Sequence, residues 1–105
     1  MIDSGETDWK VIAINVNDPL AANVNDLSDL QNTPLRDIVS QVYRWFRDYK
    51  VPDGKPPSDF AFNGDAQSKD FAVEVIKQTH ESWKQLTGDK LKFTTKLWTG
   101  NYVNS

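Results

Sequence analysis

Residues 33–50 read TPLRDIVSQVYRWFRDYK and carry the clearest structural signal of the 105-residue chain. Threonine followed by proline is typical of a helix N-terminus, because threonine caps the first turn and proline fits its opening position. Seven apolar side chains then recur at helical spacing and form one stripe. They are Leu35, Ile38, Val39, Val42, Trp45, Phe46 and Tyr49. Pro52 disfavours helix at the residue before it, so a helix is predicted from Pro34 to about Lys50.

Upstream of this helix, residues 9–16 (WKVIAINV) are rich in β-branched and aromatic side chains. A nearly continuous apolar run of this kind is typical of a strand that is covered on both faces. Pro19 ends the run, because proline cannot continue a central ladder. Residues 20–33 are a polar connector, in which Asp26 or Ser28 is expected to cap one short helical turn.

Downstream, residues 51–57 (VPDGKPP) predict a turn-rich linker. The FAF sequence at residues 60–62 provides apolar side chains that pin this loop to a core. A second helix is predicted over residues 68–86 from its apolar stripe, with glycine just beyond its end. Residues 88–105 form a tail with only a weak strand-like alternation, and the sequence assigns it no definite structure.

Composition excludes several classes of protein. The chain has 12 Lys and Arg against 15 Asp and Glu, a net charge of -3, which argues against a nucleic-acid surface or a polybasic membrane anchor. It has no cysteine and one histidine, which excludes disulfide scaffolds, cysteine nucleophiles and zinc sites built on thiolates or several histidines. The apolar runs are too short for a membrane span, and no signal-peptide pattern is present. We expect a soluble, cytoplasmic protein without nucleic-acid or membrane partners.

Two carboxylates stand out near the N-terminus. Asp3 and Asp8 flank a tight loop at the mouth of the predicted strand, with Glu6 between them. Carboxylates are hard oxygen ligands and suit magnesium or manganese. The alternative is a solvated acidic loop, which the local pattern alone favours.

Two lysines are candidates for anion binding. Lys10 lies two residues past Asp8 and shares its face along a strand. It is either a phosphate-binding lysine or the partner of Asp8 in an ion pair. Tyr49 and Lys50 close the first helix, but a lysine there also complements the helix dipole, so Lys50 alone carries little information. The single His80 favours a hydrogen-bonded or solvent-facing role over metal ligation.

Several segments resemble one family of enzymes. Residues 3–14 (DSGETDWKVIAI) resemble the DEGETDWKVIAI segment of soluble inorganic pyrophosphatases of the eukaryotic type. Residues 45–56 (WFRDYKVPDGKP) resemble their WFRxYKxPDGKPE segment, and residues 60–64 (FAFNG) and 79–84 (THESWK) match in order and spacing. The resemblance covers residues 1–87, which it identifies as the C-terminal part of such a domain.

The resemblance implies an α+β fold, in which one or more strands of an OB-like β-barrel are followed by two long helices packed outside. It implies a hydrolase that converts pyrophosphate to phosphate with Mg²⁺, since bound metals lower the pKa of water. By motif match, Asp8 would be a magnesium ligand and Asp3 a carboxylate for a further metal. Lys10, Tyr49 and Lys50 would contact phosphate oxygens. No catalytic residue is assigned, and the full-length enzyme would be a homodimer.

The chain also departs from the family pattern. The family's Asp-x-Asp-x-x-Asp motif is absent, and Ser4 stands where the family usually has glutamate. We therefore expect an incomplete domain over residues 1–87 that is inactive alone. Two alternatives stay open: a non-catalytic module that pairs with a full-length pyrophosphatase subunit, and a partly folded remnant.

Overall fold

The computed structural model describes residues 1–88, and the rest of the predicted tail lies outside the described residues. Two short strands come first and two helices follow, so the α+β prediction is confirmed at that level. The regular elements are β1 (Ile2–Asp3), β2 (Glu6–Thr7), α1 (Ile38–Asp48) and α2 (Lys69–Thr87). Short 3₁₀ segments occur at Ala21–Asn23, Leu27–Asn32, Val51–Asp53 and Phe62–Gly64. The chain divides into two compact units, Met1–Lys69 and a second that begins at Asp70.

The strands β1 and β2 form an antiparallel hairpin with Asp3 opposite Glu6. The two residues between them, Ser4 and Gly5, have φ values of +52° and +83°. A two-residue loop with positive φ at both positions is a type I′ turn, which matches the natural twist of two paired strands. The hairpin therefore depends on Gly5, which adopts this conformation without steric cost.

The predicted strand at residues 9–16 does not form. Residues 9–15 have no regular secondary structure and Val16 begins a turn. Within residues 1–88, the backbone groups of residues 10–14 make no hydrogen bond to other backbone groups. Val11 and Ile12 are about half exposed, at 50% and 48%. A strand needs a neighbour for its backbone groups. The described residues contain one two-stranded sheet, and the barrel implied by the resemblance is not seen in them.

The polar connector contains the predicted cap. Asp26 precedes the 3₁₀ turn at Leu27–Asn32 and forms a reciprocal capping box with Asp29. The Asp29 carboxylate accepts hydrogen bonds from the backbone N–H of Asn25 at 2.8 Å and of Asp26 at 2.9 Å. These bonds hold the pKa of Asp29 below its ordinary value of 3.8. The prediction that Asp26 caps a helical turn is confirmed.

The first helix begins later than predicted. The Thr33 hydroxyl accepts from the Leu35 N–H at 3.1 Å, as a cap would. Residues 34–37 nevertheless form turns, and the Ile38 N–H donates to the Leu35 carbonyl three residues back at 2.9 Å. The regular α1 helix therefore starts at Ile38, four residues after the predicted start.

The second helix closely matches its prediction. It spans Lys69–Thr87, against a predicted 68–86. At its start, the Lys69 N–H donates to the Asp26 carboxylate at 3.0 Å, and the Lys69 ammonium donates to the Asn25 side chain at 2.7 Å. At its end, the Gly88 N–H donates to the Lys84 carbonyl at 3.0 Å. Within residues 1–88, neither helix is both long and apolar enough to cross a lipid bilayer.

The loop at residues 60–64 packs against α1. The Phe60 ring meets the Tyr43 ring edge-on, with 4.7 Å between centroids. Gly64 has a φ of +80°, and a Cβ atom there would lie 2.6 Å from Tyr43 Cε2. The predicted role of residues 60–62 in pinning the loop is therefore confirmed for Phe60.

Candidate functional site

The hairpin places Asp3 and Asp8 on one face. Asp3 is opposite Glu6, and the Asp8 N–H donates to the Met1 carbonyl at 3.0 Å, which continues the same register by one residue. Because side chains alternate along a strand, Asp3, Glu6 and Asp8 share a face. Asp3 and Asp8 are diagonal neighbours, a relation that typically separates Cα atoms by about 7–8 Å.

Asp3 is bound by Lys50, which follows the C-terminal end of α1. The Lys50 ammonium donates to Asp3 Oδ1 at 2.5 Å, although the two residues are 47 positions apart. The Lys50 side chain is only 22% exposed. This hydrogen bond is the main cause that lowers the pKa of Asp3 and raises the pKa of Lys50. Two residues that the resemblance assigned to metal and to phosphate are thus bonded to each other.

Asp8 is bound by the second candidate lysine. The Lys10 ammonium lies 2.9 Å from Asp8 Oδ2, so of the two alternatives for Lys10 the structure shows the ion pair. The positive charge of Lys10 also acts on Asp3, where it adds a smaller lowering of the pKa to the larger effect of the Lys50 hydrogen bond. The two ion pairs therefore form one cluster of four charges, which we call the Asp–Lys cluster: Asp3, Asp8, Lys10 and Lys50.

An aromatic cluster lies beside these lysines. The rings of Trp45 and Tyr49 are nearly parallel, with 5.0 Å between centroids and 8° between planes, and Phe46 is perpendicular to both. The Lys10 ammonium lies 4.9 Å from the centre of the Phe46 ring, and the Lys50 ammonium lies 5.4 Å from that of Tyr49. Both ammonium groups are therefore within cation–π range of an aromatic ring. The helical spacing of these aromatics was visible in sequence, but their contact with the lysines was not.

The loop after α1 joins the hairpin that carries Asp3 to the C-terminal end of α1, which precedes Lys50. The Ser58 N–H donates to the Arg47 carbonyl at 2.8 Å, and the Ile2 N–H donates to the Asp59 carbonyl at 2.8 Å. Gly54, with a φ of +81°, lets the chain reverse at the end of the intervening 3₁₀ turn. These two bonds hold β1 next to the end of α1, which is how Asp3 reaches Lys50. Sequence reasoning missed this role, and only the turn residues Pro52-Asp53-Gly54 hinted at it.

The donor set of the cluster only partly fits a divalent metal. Carboxylate oxygens are the right ligands for magnesium. Each carboxylate is nevertheless occupied by a lysine, and within residues 1–88 no three Asp, Glu, His or Cys side chains converge on a point where they could hold a metal ion. The described residues therefore do not form a ready metal site.

The family model of inorganic pyrophosphatase matches residues 1–84. The chain belongs to the inorganic pyrophosphatase family. It is 57% identical to human inorganic pyrophosphatase over 90 residues, which cover 86% of this chain and 31% of the human protein. It is 51% identical to the Candida glabrata inorganic pyrophosphatase over the same length. The chain thus spans about a third of the length of the curated relatives it matches.

Solved pyrophosphatase structures share the fold of the matched part. The inorganic pyrophosphatase of Schistosoma japonicum superposes with a TM-score of 0.76 at 52% identity, over 82% of this chain and 30% of that one. An N-terminally truncated vacuolar soluble pyrophosphatase of Trypanosoma cruzi, solved with PPi, gives 0.80 at 39% identity, over 84% and 33%. The predicted family is therefore confirmed.

Proposed function

We propose that this inorganic pyrophosphatase chain contributes part of a site that hydrolyses pyrophosphate to phosphate with Mg²⁺, and that it does so in the cytoplasm. Residues 1–87 would be the C-terminal part of a pyrophosphatase domain that is built on an OB-like barrel. The observation that carries the proposal is the Asp–Lys cluster, which gathers two carboxylates and two ammonium groups around the family's sequence segments. Oxygen ligands for a cation and donors for an oxyanion are the two components that phosphoryl chemistry requires.

The proposed roles follow from chemistry and position. Asp8 and Asp3 would contribute oxygen ligands to magnesium, which when bound lowers the pKa of water and polarises phosphate oxygens. Lys10 and Lys50 would neutralise phosphate oxygens, and the Tyr49 hydroxyl would donate to one. Tyr49 adjoins Lys50 at the end of α1, so all three donors come from the same two segments of the chain.

We propose that the 105 residues alone turn over little or no pyrophosphate. Magnesium usually retains several waters and needs carboxylates together with substrate phosphates to be held. Within residues 1–88, Asp3 and Asp8 are the carboxylates of the cluster, and both are paired with lysine. The proposed site would therefore need further acidic residues such as those of the absent aspartate motif.

Two measurements on the purified chain test this function. The first is phosphate release from pyrophosphate in Mg²⁺ by the wild type, by Asp8→Asn, and by Asp37→Asn as the control. Asp37 is 70% exposed and paired only loosely with Arg36, at 3.8 Å. We expect no release from any of the three. Release that Asp8→Asn abolishes would refute the proposed inactivity and support the site.

The second measurement is calorimetric binding of methylenediphosphonate, a non-hydrolysable analogue, with Mg²⁺ present. We expect the wild type and Asp37→Asn to bind equally, and Asp8→Asn and Lys50→Met to bind at least tenfold more weakly. Equal affinities of all four proteins would contradict the assignment of Asp8 and Lys50.

A second candidate function is a non-catalytic module that pairs with a full-length pyrophosphatase subunit. The observation in its favour is the segment at residues 10–14, in which Val11 and Ile12 are about half exposed and whose backbone groups make no bonds to other backbone within residues 1–88. Unpaired backbone of β-branched sequence is a template for strand addition. Co-purification of this chain with tagged full-length enzyme, itself expected to be a homodimer, would support this function. Separate elution of the chain would contradict it.

A further inference from the structure

The loop at residues 60–64 contains an asparagine–glycine pair, which is a chemically labile sequence. Asn63 is the one asparagine of the chain that is followed by glycine. Asparagine is among the thermolabile residues, because the backbone nitrogen that follows it can attack its side-chain amide. Glycine in the next position favours this attack, since it has no side chain to shield its nitrogen. Asn63 is exposed, so water and hydroxide reach its side-chain amide.

The backbone of this pair has an unusual conformation. Phe62, Asn63 and Gly64 have φ values of +56°, +55° and +80°, so three consecutive residues are left-handed. This conformation is unfavourable for a residue that has a Cβ atom. The backbone preference of Phe62 and Asn63 therefore favours opening of the loop, and contacts outside the pair hold it closed.

Tyr43 of α1 provides such a contact. A Cβ atom at Gly64 would lie 2.6 Å from Tyr43 Cε2, which means that the ring lies directly against the Gly64 backbone. The Phe60 ring in turn supports Tyr43, with 4.7 Å between the ring centroids. The left-handed conformation of the loop is therefore stabilised by aromatic packing that starts 20 or so positions upstream, in α1.

The closed loop opposes the attack in two ways. The Gly64 N–H donates to the Ala61 carbonyl at 3.1 Å, and this bond favours the protonated nitrogen over the deprotonated one that attacks. Ring closure also requires the Gly64 nitrogen to eclipse the Cβ atom of Asn63 about the Cα–C bond. At the Asn63 ψ of +25°, this nitrogen points away from Cβ. The reaction therefore needs a rotation of ψ, which the contact with Tyr43 resists.

We propose that Asn63–Gly64 is a site of covalent modification, at which Asn63 converts to isoaspartate when the loop opens, and that the contact with Tyr43 keeps the site closed. The Gly64 nitrogen loses its proton to hydroxide and forms a bond to Asn63 Cγ. The Cγ–Nδ2 bond breaks, and ammonia leaves with a proton from water. Water then opens the succinimide ring: cleavage at the backbone carbonyl gives isoaspartate, and cleavage at Cγ gives aspartate.

The isoaspartate product cannot pack in the same way. Its chain runs through the former side-chain carbonyl, which adds a methylene group to the backbone between residues 63 and 64. It also adds a negative charge close to Asp65. Because Gly64 leaves no room for even a methyl group beside Tyr43, we expect the modified loop to stay open. The site shares no residue with the Asp–Lys cluster, so its test is independent of the proposed function.

The test follows the modification of the purified 105-residue chain during storage in slightly alkaline buffer. Mass spectrometry of the proteolytic peptide that contains residue 63, after chromatographic separation of isoaspartate from aspartate, measures the rate. We expect the folded chain to react at least tenfold more slowly than the same chain in urea, where the loop is open. Tyr43→Ala should raise the rate of the folded chain at least threefold and leave the rate in urea unchanged.

Matched variants separate the aromatic contact from general stability. Tyr43→Phe keeps the ring, so it should react like the wild type. Asp26→Ala removes a cap in another part of the chain and should also react like the wild type, provided that circular dichroism shows it to be folded. If Tyr43→Ala does not fold, Phe60→Leu replaces it, because this variant keeps an apolar side chain and removes only the ring that supports Tyr43.

Several results would overturn the proposal. These are equal rates in the folded chain and in urea, no acceleration in the folded variant that loses a ring, equal acceleration by Tyr43→Phe or Asp26→Ala, and modification of other asparagines while Asn63 stays unchanged. Formation of isoaspartate at residue 63, accelerated only in Tyr43→Ala or Phe60→Leu, would support it.

Discussion

Replacing Gly64 with alanine tests whether the loop at residues 60–64 is packed directly against α1. Gly64 has a φ of +80°, and a Cβ atom there would lie 2.6 Å from Tyr43 Cε2 and 2.8 Å from Cζ. The Tyr43 ring cannot yield freely, because the Phe60 ring lies 4.7 Å away on one side and the Arg47 guanidinium lies 5.7 Å from its centre. The substitution therefore introduces both backbone strain and a steric overlap.

The expected magnitude is the sum of these two effects. A left-handed conformation costs a residue with a Cβ atom about 1–2 kcal/mol. An overlap in a packed region typically costs about 1–3 kcal/mol, because side chains or backbone must shift. We therefore expect Gly64→Ala to lower the free energy of unfolding by about 2–5 kcal/mol, which is a large share of the stability of a small domain.

Urea unfolding followed by circular dichroism measures this loss, and the chain offers matched controls. Gly5 and Gly54 have φ values of +83° and +81°, and a Cβ atom at either would have no neighbour within 4 Å. Alanine there should cost only the strain, so the excess for Gly64→Ala isolates the contact with Tyr43. Tyr43→Ala should reduce that excess in a double-mutant cycle. A Gly64→Ala variant no less stable than Gly54→Ala would refute the reasoning.

Three further predictions concern local hydrogen bonds and turns. The hydrogen bonds that lower the pKa of Asp29 contribute their full stabilisation at pH values above 3.8, the ordinary pKa of the group. This stabilisation is lost as the pH falls through the lowered pKa of Asp29 in the folded protein. Between pH 6 and pH 3, the urea midpoint of Asp29→Asn should therefore fall less than that of the wild type. Asp26→Ala should lower the free energy of unfolding by about 0.5–2 kcal/mol, because it removes a cap and an acceptor for Lys69. Ser4→Asn should raise it by about 0.5 kcal/mol in the same assay, since asparagine favours the positive φ of a type I′ turn.

The helices and caps were predictable because their signals are local. The apolar stripe and the cap at Asp26 depend on residues within a few positions of each other. The cap forms, and five of the seven stripe residues, those from Ile38 to Phe46, lie in α1. The helix start was misplaced by four residues, since Thr33 bonds to the Leu35 N–H without bringing residues 34–37 into regular helix. A cap signal fixes a nearby hydrogen bond more reliably than it fixes the first helical residue.

The strand and the site were less predictable because they depend on distant partners. Residues 9–16 have β propensity, but this propensity reflects how well their side chains pack against a neighbouring strand. It does not produce a strand where no neighbouring strand is present. The site residues came from the family resemblance, and no local pattern joins Asp3 to Lys50 across 47 positions. For Lys10, two residues from Asp8, the sequence did provide the ion pair as one of two alternatives, and the structure shows it.

Backbone hydrogen bonds hold the Asp3–Lys50 pair more firmly than the Asp8–Lys10 pair. Asp3 lies in β1, which is tied to the loop after α1 through Ile2 and Asp59, so the Asp3–Lys50 pair is fixed from both sides. Lys10 instead begins a segment whose backbone, within residues 1–88, bonds to no other backbone up to residue 14. Catalytic groups must be held to within about 0.5 Å to be effective. A partner strand along residues 10–14 would therefore act on the Asp–Lys cluster chiefly through Lys10, which within residues 1–88 is the less supported of the cluster's two lysines.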